Sequence, residues 1–140
     1  MRAIVDTNLL IAAVLWRGPP HRLLEHARGG ALTLVSSPTL IAELEEVLAR
    51  KKFSTILARA SLSREHAFAQ LRQLIVIVDA PPLSVPVCRD PDDDHILAAA
   101  QAAEADSIIT GDHDLLALGA FQGIPIRTAR QALAILDSPA

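Results

Sequence analysis

The sequence predicts an α/β fold with a central, mostly parallel sheet of about five strands and helices on both of its faces. Two observations carry this reading. Short apolar runs such as Ala3-Ile4-Val5 and Ile75 to Val78 are uninterrupted, as expected of strands buried on both faces. Between them lie longer segments with helical periodicity, so strand and helix alternate along the chain.

Taken in order, residues 2 to 6 form a first buried strand and 7 to 16 a helix. Pro19-Pro20 breaks the chain, and a helix over 21 to 28 stops at Gly29-Gly30. The second strand, Leu32 to Val35, ends at Ser36-Ser37-Pro38, where Ser37 reads as an N-cap and Pro38 as the first helical residue. That helix runs to about Arg50, with Leu40, Ile41, Leu44, Val47 and Leu48 at the spacing of one buried face. Helices over 52 to 60 and from Ser63 to about Leu74 follow, then the strand Ile75 to Val78. A Pro-rich connection, Ala80 to Pro86, leads to a helix from about Asp93 to Ala105 and a strand from Ser107 to Thr110. Gly111 is expected to supply a backbone angle that other residues resist, turning the chain into a short helix at 113 to 118. Ile124-Pro125-Ile126 reads as a last strand, at an edge because Pro125 cannot donate to a ladder. Thr128 and Gln131 then form a capping box for the final helix.

A chain of 140 residues that is 51% hydrophobic fits one domain, here 1–140, without structural disulfides or zinc. The single cysteine, Cys88, has no partner, which suits a reducing compartment. The longest apolar run, Leu9 to Trp16, is too short to span a bilayer, and Asp6 speaks against a signal peptide. The expectation is a soluble cytoplasmic protein with no membrane association. Aromatics are only 3% of residues, which argues against a module that binds single strands by stacking bases on several rings. The net charge of -3 looks wrong for a phosphate binder, but the balance turns positive if four carboxylates are metal ligands.

Acidic residues hold the chemical information. In a parallel sheet the functional groups gather at the carboxyl ends of the strands, and both Asp6 and Asp112 follow strands directly or within two residues. Asp6 alone could be a helix N-cap. Glu43 lies among apolar neighbours while Glu45 and Glu46 supply the polar face of their helix. The run Asp90-Pro91-Asp92-Asp93-Asp94 suits a helix N-terminus, yet so many adjacent carboxylates repel one another, which a divalent cation relieves. An EF-hand loop starting at Asp90 is excluded, because its sixth position is His95 and its twelfth Gln101. The strand followed by Thr110-Gly111-Asp112-His113-Asp114 places two more carboxylates on one tight turn.

Four segments, Ile-Val-Asp-Thr-Asn at 4 to 8, Glu43 in its helix, Asp-Pro-Asp-Asp-Asp-His-Ile-Leu-Ala-Ala-Ala at 90 to 100 and Ile-Thr-Gly-Asp-His-Asp-Leu-Leu at 109 to 116, resemble the four acidic motifs of the PIN domain. The resemblance covers essentially the whole chain and is nearest to the VapC-like toxins of type II toxin-antitoxin systems. It implies a three-layer PIN-like sandwich and a divalent-metal-dependent endoribonuclease using Mg2+ or Mn2+. It also implies a metal-binding quartet of Asp6, Glu43, Asp94 and Asp112. Asp94 is taken as the third acid because it directly precedes x-Ile-Leu-Ala-Ala-Ala, although the acidic run leaves Asp92 and Asp93 open. Asp90 and Asp114 are auxiliaries, and Thr7, Asn8 and Thr110 are expected to orient the ligands by hydrogen bonds. The partners implied are an RNA substrate, a small antitoxin protein and a second copy of the chain in a homodimer.

Arg50-Lys51-Lys52 is the one run of three basic residues. It answers either the negative end of the Glu43 helix or RNA phosphates, roughly 13 Å from Glu43 if the helix continues. Two other functions compete. A haloacid-dehalogenase-type phosphatase also ends its first strand in Asp, but it needs a second Asp where this chain has Asn8. A catalytically inactive PIN-like module that binds RNA or protein would lack one of the quartet acids, and none is missing.

Overall fold

The computed structural model describes residues 1–138, so the last two residues of the unit expected over 1–140 lie outside the described residues. The chain forms β1 (Arg2–Val5), α1 (Thr7–Leu15), α2 (Pro19–Gly29), β2 (Thr33–Ser36), α3 (Pro38–Leu48), α4 (Lys51–Arg59) and α5 (Arg64–Leu74). It continues with β3 (Ile75–Ile77), α6 (Pro91–Ala103), β4 (Ser107–Ile109), α7 (His113–Leu118), β5 (Ala120–Phe121), β6 (Ile124–Arg127) and α8 (Ala129–Leu136).

The strands form one sheet in the order β3-β2-β1-β4-β6-β5, parallel throughout except for the β5–β6 pair. The chain leaves β1 in one direction to build β2 and β3, then crosses back to place β4 on the other side of β1. This reversal is where an open α/β sheet opens a crevice at the carboxyl ends of its strands. Asp6 follows β1 there, and its amide still donates to the Ile109 carbonyl at 2.9 Å.

Alternation along the strands explains why both sheet faces are covered. Ala3, Val5, Leu34 and Ile109 point into one core with Leu10, Ile11, Leu23, Leu44, Leu71 and Leu133. Ile4, Val35 and Ile108 point into the other with Ile96, Leu97, Ala100 and Leu115. Successive strand residues face opposite ways, so a strand buried on both sides must be apolar at every position. Helices α6 and α7 therefore cover one face, while α1 to α5 and α8 pack into the core on the other. The alternating α/β sandwich is as expected.

Three expectations are corrected. Pro19 and Pro20 do not break the chain; they open α2, because the first helical positions need no amide donor. The sheet has six strands, and β6 is internal to it, with Pro125 opposite Ala120 of a two-residue β5. The hairpin is made by Gln122 and Gly123, both at positive φ (49° and 80°), and Gln-Gly is a weaker sequence signal for such a turn than Asn-Gly. Finally, α3 stops at Leu48 and does not continue to Arg50.

The helix caps are as expected. The Ser37 hydroxyl accepts from the Leu40 amide, the Ser63 hydroxyl accepts from the His66 amide, and Thr128 and Gln131 form both bonds of the capping box. No helix among the described residues is long and apolar enough to cross a membrane.

Candidate functional site

Asp6 occupies the N-cap position of α1, but its side chain makes no capping hydrogen bond. Its Oδ2 instead accepts from the Thr110 hydroxyl at 2.7 Å. Thr110 is completely buried, and its oxygen also accepts from the Asp112 amide at 3.0 Å. One hydroxyl thus links the acid after β1 to the backbone of the acid after β4, donating once and accepting once. Asp112 is fixed further by the amides of Asp114 and Leu115, which both donate to its Oδ1 as the N-cap of α7. Gly111 does not adopt the left-handed backbone expected of it, and a Cβ built there meets nothing within 4 Å. The turn is held by the Thr110 side chain, with no demand on the glycine.

Glu43 reaches the same region from α3, half-buried, and accepts from the buried Thr7 hydroxyl at 3.2 Å. Thr7 and Thr110 therefore hold Glu43 and Asp6. Asn8 is exposed on α1, and no side-chain hydrogen bond of it is found among the described residues.

The three consecutive aspartates at the start of α6 fan out. Asp93 is only 8% exposed. Burial, and then the charges of Asp112, Asp90, Asp6 and Asp114, push its carboxyl up to about 6. Asp92 is exposed, and its negative charge is felt by Glu43. Asp94 turns elsewhere: its Oδ1 accepts from the Cys88 amide at 2.8 Å and its two oxygens from the Val87 amide at 3.3 and 3.2 Å. Its slight desolvation is outweighed by the amides of Cys88 and Val87, which hold its carboxyl below the ordinary value.

Of the two, the structure buries Asp93, while Asp94, the third acid expected from the motif, is engaged by the Val87 and Cys88 amides. A sequence signal for this exists. Asp93 shares the helical stripe of Ile96, Leu97 and Ala100, all buried, whereas seven residues after Asp94 stands the exposed Gln101. The auxiliaries are both exposed. Asp90 caps α6 by accepting from the Asp92 amide at 2.9 Å, and Asp114 lies in the first turn of α7.

Asp6 and Glu43 are shifted in the same direction as Asp93. Burial pushes Asp6 up, opposed by the Thr110 hydroxyl and the amides near the helix start, with Asp112 adding to the rise. Burial also pushes Glu43 up, opposed by Thr7, with Asp92 and Asp6 adding to it. Among the described residues no Lys, Arg or His lies within 4.0 Å of Asp6, Glu43, Asp93 or Asp112. Nor, among the described residues, do three His, Cys, Asp or Glu side chains converge closely enough to enclose a metal ion as they stand. An all-oxygen, mutually repelling set nevertheless fits magnesium or manganese, since magnesium keeps several waters and takes only one or two carboxylates directly.

The basic run forms no ion pair with these acids among the described residues. Arg50 pairs with Glu46 at 3.4 Å, both exposed, while Lys51 and Lys52 form the first turn of α4, with Lys52 Nζ 4.9 Å from the Phe53 ring centre. These lysines therefore stand at the positive end of a helix, where the macrodipole disfavours them, and do not answer the negative end of α3. The continuous helix from Glu43 to Lys52 does not exist.

The family model described as the PIN domain matches residues 2–114. The structure is similar to a chain of VapBC2 from Rickettsia felis, solved bound to a DNA fragment from their promoter. That likeness has a TM-score of 0.61 at 15% sequence identity and covers 91% of this chain and 98% of that one. No curated protein matches the sequence. The family match contains every strand and turn that carries the acidic cluster, and this chain belongs to the PIN-domain family.

Proposed function

We propose that the protein is a divalent-metal-dependent endoribonuclease, with Asp6, Glu43, Asp93 and Asp112 as the acids that hold Mg2+ or Mn2+. One observation carries this reading: four carboxylates, partly or wholly buried, lie on the elements that flank the chain reversal across the sheet, and among the described residues no Lys, Arg or His forms an ion pair within 4.0 Å of them. Such a cluster raises its own pKa values unless positive charge is supplied. A bound divalent ion supplies a water of lowered pKa and stabilises charge on a phosphodiester.

The chain's own groups do the rest. Thr110 holds the Asp6 carboxylate in one orientation, and Thr7 does the same for Glu43. Asp112 keeps Oδ1 engaged by two amides, which fixes its direction. Asp93 carries the most strongly raised carboxyl of the set, so it gains most from a cation. Asp90 and Asp114 add negative charge at the mouth, and Lys51 and Lys52 are free to meet phosphates away from it.

In this reading the unit spans 1–140, acts in the cytoplasm, and is the toxin of a toxin-antitoxin pair. The fold shared with a chain of VapBC2 supports that context. A small antitoxin protein and a second copy of the chain are the proposed partners. The phosphatase alternative is weakened by Asn8, which sits exposed on α1 without a described bond to the acids. The test is incubation of the purified protein with single-stranded RNA in magnesium or manganese, then sequencing of the ends. Internal cleavage abolished by EDTA is expected; intact RNA with both ions overturns the reading.

A further inference from the structure

We propose that Asp94 is a positioning residue for the RNA substrate: its carboxylate clamps Val87 and Cys88, fixing the connection between β3 and α6 as a wall of the acidic site. The inference rests on the nuclease reading above. The connection contains Pro81, Pro82 and Pro86 and forms neither helix nor strand between Val78 and Asp90. Among the described residues, its backbone amides are bonded at only two places. At its start the Val78 amide donates to the Ser36 carbonyl at 2.9 Å; at its end Val87 and Cys88 donate to Asp94. No ladder or turn bond substitutes for the Asp94 clamp. Without that acceptor the partly buried Cys88 amide stays unpaired or takes water and the exposed Val87 amide turns to solvent, so the hydrogen bonding at this end of the wall depends on one carboxylate.

What the clamp holds in place is suited to a nucleic-acid strand. Leu83 and Cys88 pack against the core that contains Ile4 and Ile108, which anchors the inner side of the wall. Its outer side leaves Val85 and Val87 68% and 45% exposed, and the exposed Arg89 follows Cys88 directly. Val87 and Cys88 are hydrogen-bonded to the residue that directly follows Asp93, so the wall borders the acids. Apolar surface beside a cation matches the base and phosphate of a single strand, with the phosphate contact fixing register. Asp93 and Asp94 thus divide two tasks: one belongs to the acid cluster and the other sets where the strand lies.

The test compares Asp94→Ala, Asp94→Asn and Asp93→Asn with the wild-type protein in amide hydrogen exchange, Mn2+ binding and steady-state cleavage of a single-stranded RNA. In Asp94→Ala the Val87 and Cys88 amides should exchange roughly tenfold faster or more, the scale of removing one charge-assisted hydrogen bond. Its Mn2+ affinity should stay within about twofold of wild type, with KM for RNA up about tenfold and kcat within about twofold. Asp94→Asn keeps one acceptor oxygen for Cys88, so it should free mainly the Val87 amide and restore much of KM; it also serves if Asp94→Ala does not fold. Loss of Mn2+ binding in Asp94→Asn equal to that in Asp93→Asn would make Asp94 a metal ligand and overturn the proposal. Unchanged amide exchange in both Asp94 variants overturns the clamp, and a fall in kcat with KM unchanged overturns the substrate role. Absence of cleavage by the wild-type protein overturns the nuclease reading, and the substrate role with it, while the exchange result still decides the clamp.

Discussion

The Thr110 hydroxyl donates to Asp6 Oδ2 at 2.7 Å from a side chain with no exposure to solvent. Because the same oxygen accepts from the Asp112 amide, the ends of β1 and β4 are coupled through one buried atom. Thr110→Val keeps the shape and removes the hydroxyl. It should cost on the order of 1 to 3 kcal/mol in stability, since the Asp112 amide loses its acceptor. RNA cleavage should fall by about 10 to 100 fold, the usual effect of losing a group that orients a metal-binding carboxylate. Thr110→Ser should retain most of both. Chemical denaturation and a cleavage assay on the three proteins check this.

The metal-free protein should become more stable as the pH falls from about 7 towards 5. Asp93 is raised in the folded state to about 6 from an ordinary 3.8, and Asp6 and Glu43 are raised too. Between those values the folded state binds more protons than the unfolded one, so stability declines as pH rises through the folded pKa. For Asp93 the effect is on the order of 3 kcal/mol at most. The opposite groups, Glu65, Asp94 and Asp137, are lowered and remove stability only at more acid pH. Melting temperatures measured without divalent ions should rise over this window, and magnesium or manganese should flatten the slope. A melting temperature that falls steadily from pH 7 to 5 would contradict the clustering of the acids.

Lys51 and Lys52 give a prediction of mixed sign. Replacing both with Ala removes cations from the positive end of α4, which should leave stability unchanged or raise it by about 0.3 to 1 kcal/mol. If these lysines meet phosphates, single-stranded RNA binding should weaken and its log-log salt slope should flatten by about 0.7 for each phosphate no longer neutralised. Unaltered affinity and slope would remove them from the RNA path.

How much of this is legible in the sequence depends on how local the cause is. Ser37, Ser63 and Thr128 can be read as caps because a cap needs only its own next turn. The strands Ala3 to Val5 and Ile108-Ile109 can be read because burial on both faces leaves an unbroken apolar run. Asp6, Glu43 and Asp112 are visible from their positions beside strands or among apolar neighbours. The choice between Asp93 and Asp94 is harder: the motif resemblance points to Asp94, whereas the structure buries Asp93 and turns Asp94 to the Val87 and Cys88 amides. One residue turns a helical side chain by about 100°, and the partner of Asp94 comes from a connection whose path is set by distant contacts. The same holds for the internal place of β6, which depends on a hairpin with a weak Gln-Gly signal. The break between α3 and α4 has no proline or glycine to announce it.

Cleavage of single-stranded RNA by Asp6→Asn, Glu43→Gln, Asp93→Asn and Asp112→Asn, each measured with magnesium or manganese beside wild type, tests the central claim most directly. Each variant should remain folded, melt at the same or a higher temperature without metal, and lose about a hundredfold or more in rate, equivalent to nearly 3 kcal/mol of barrier. Full activity in any two of the four, at wild-type folding, would contradict the assignment of these acids as the metal-holding set.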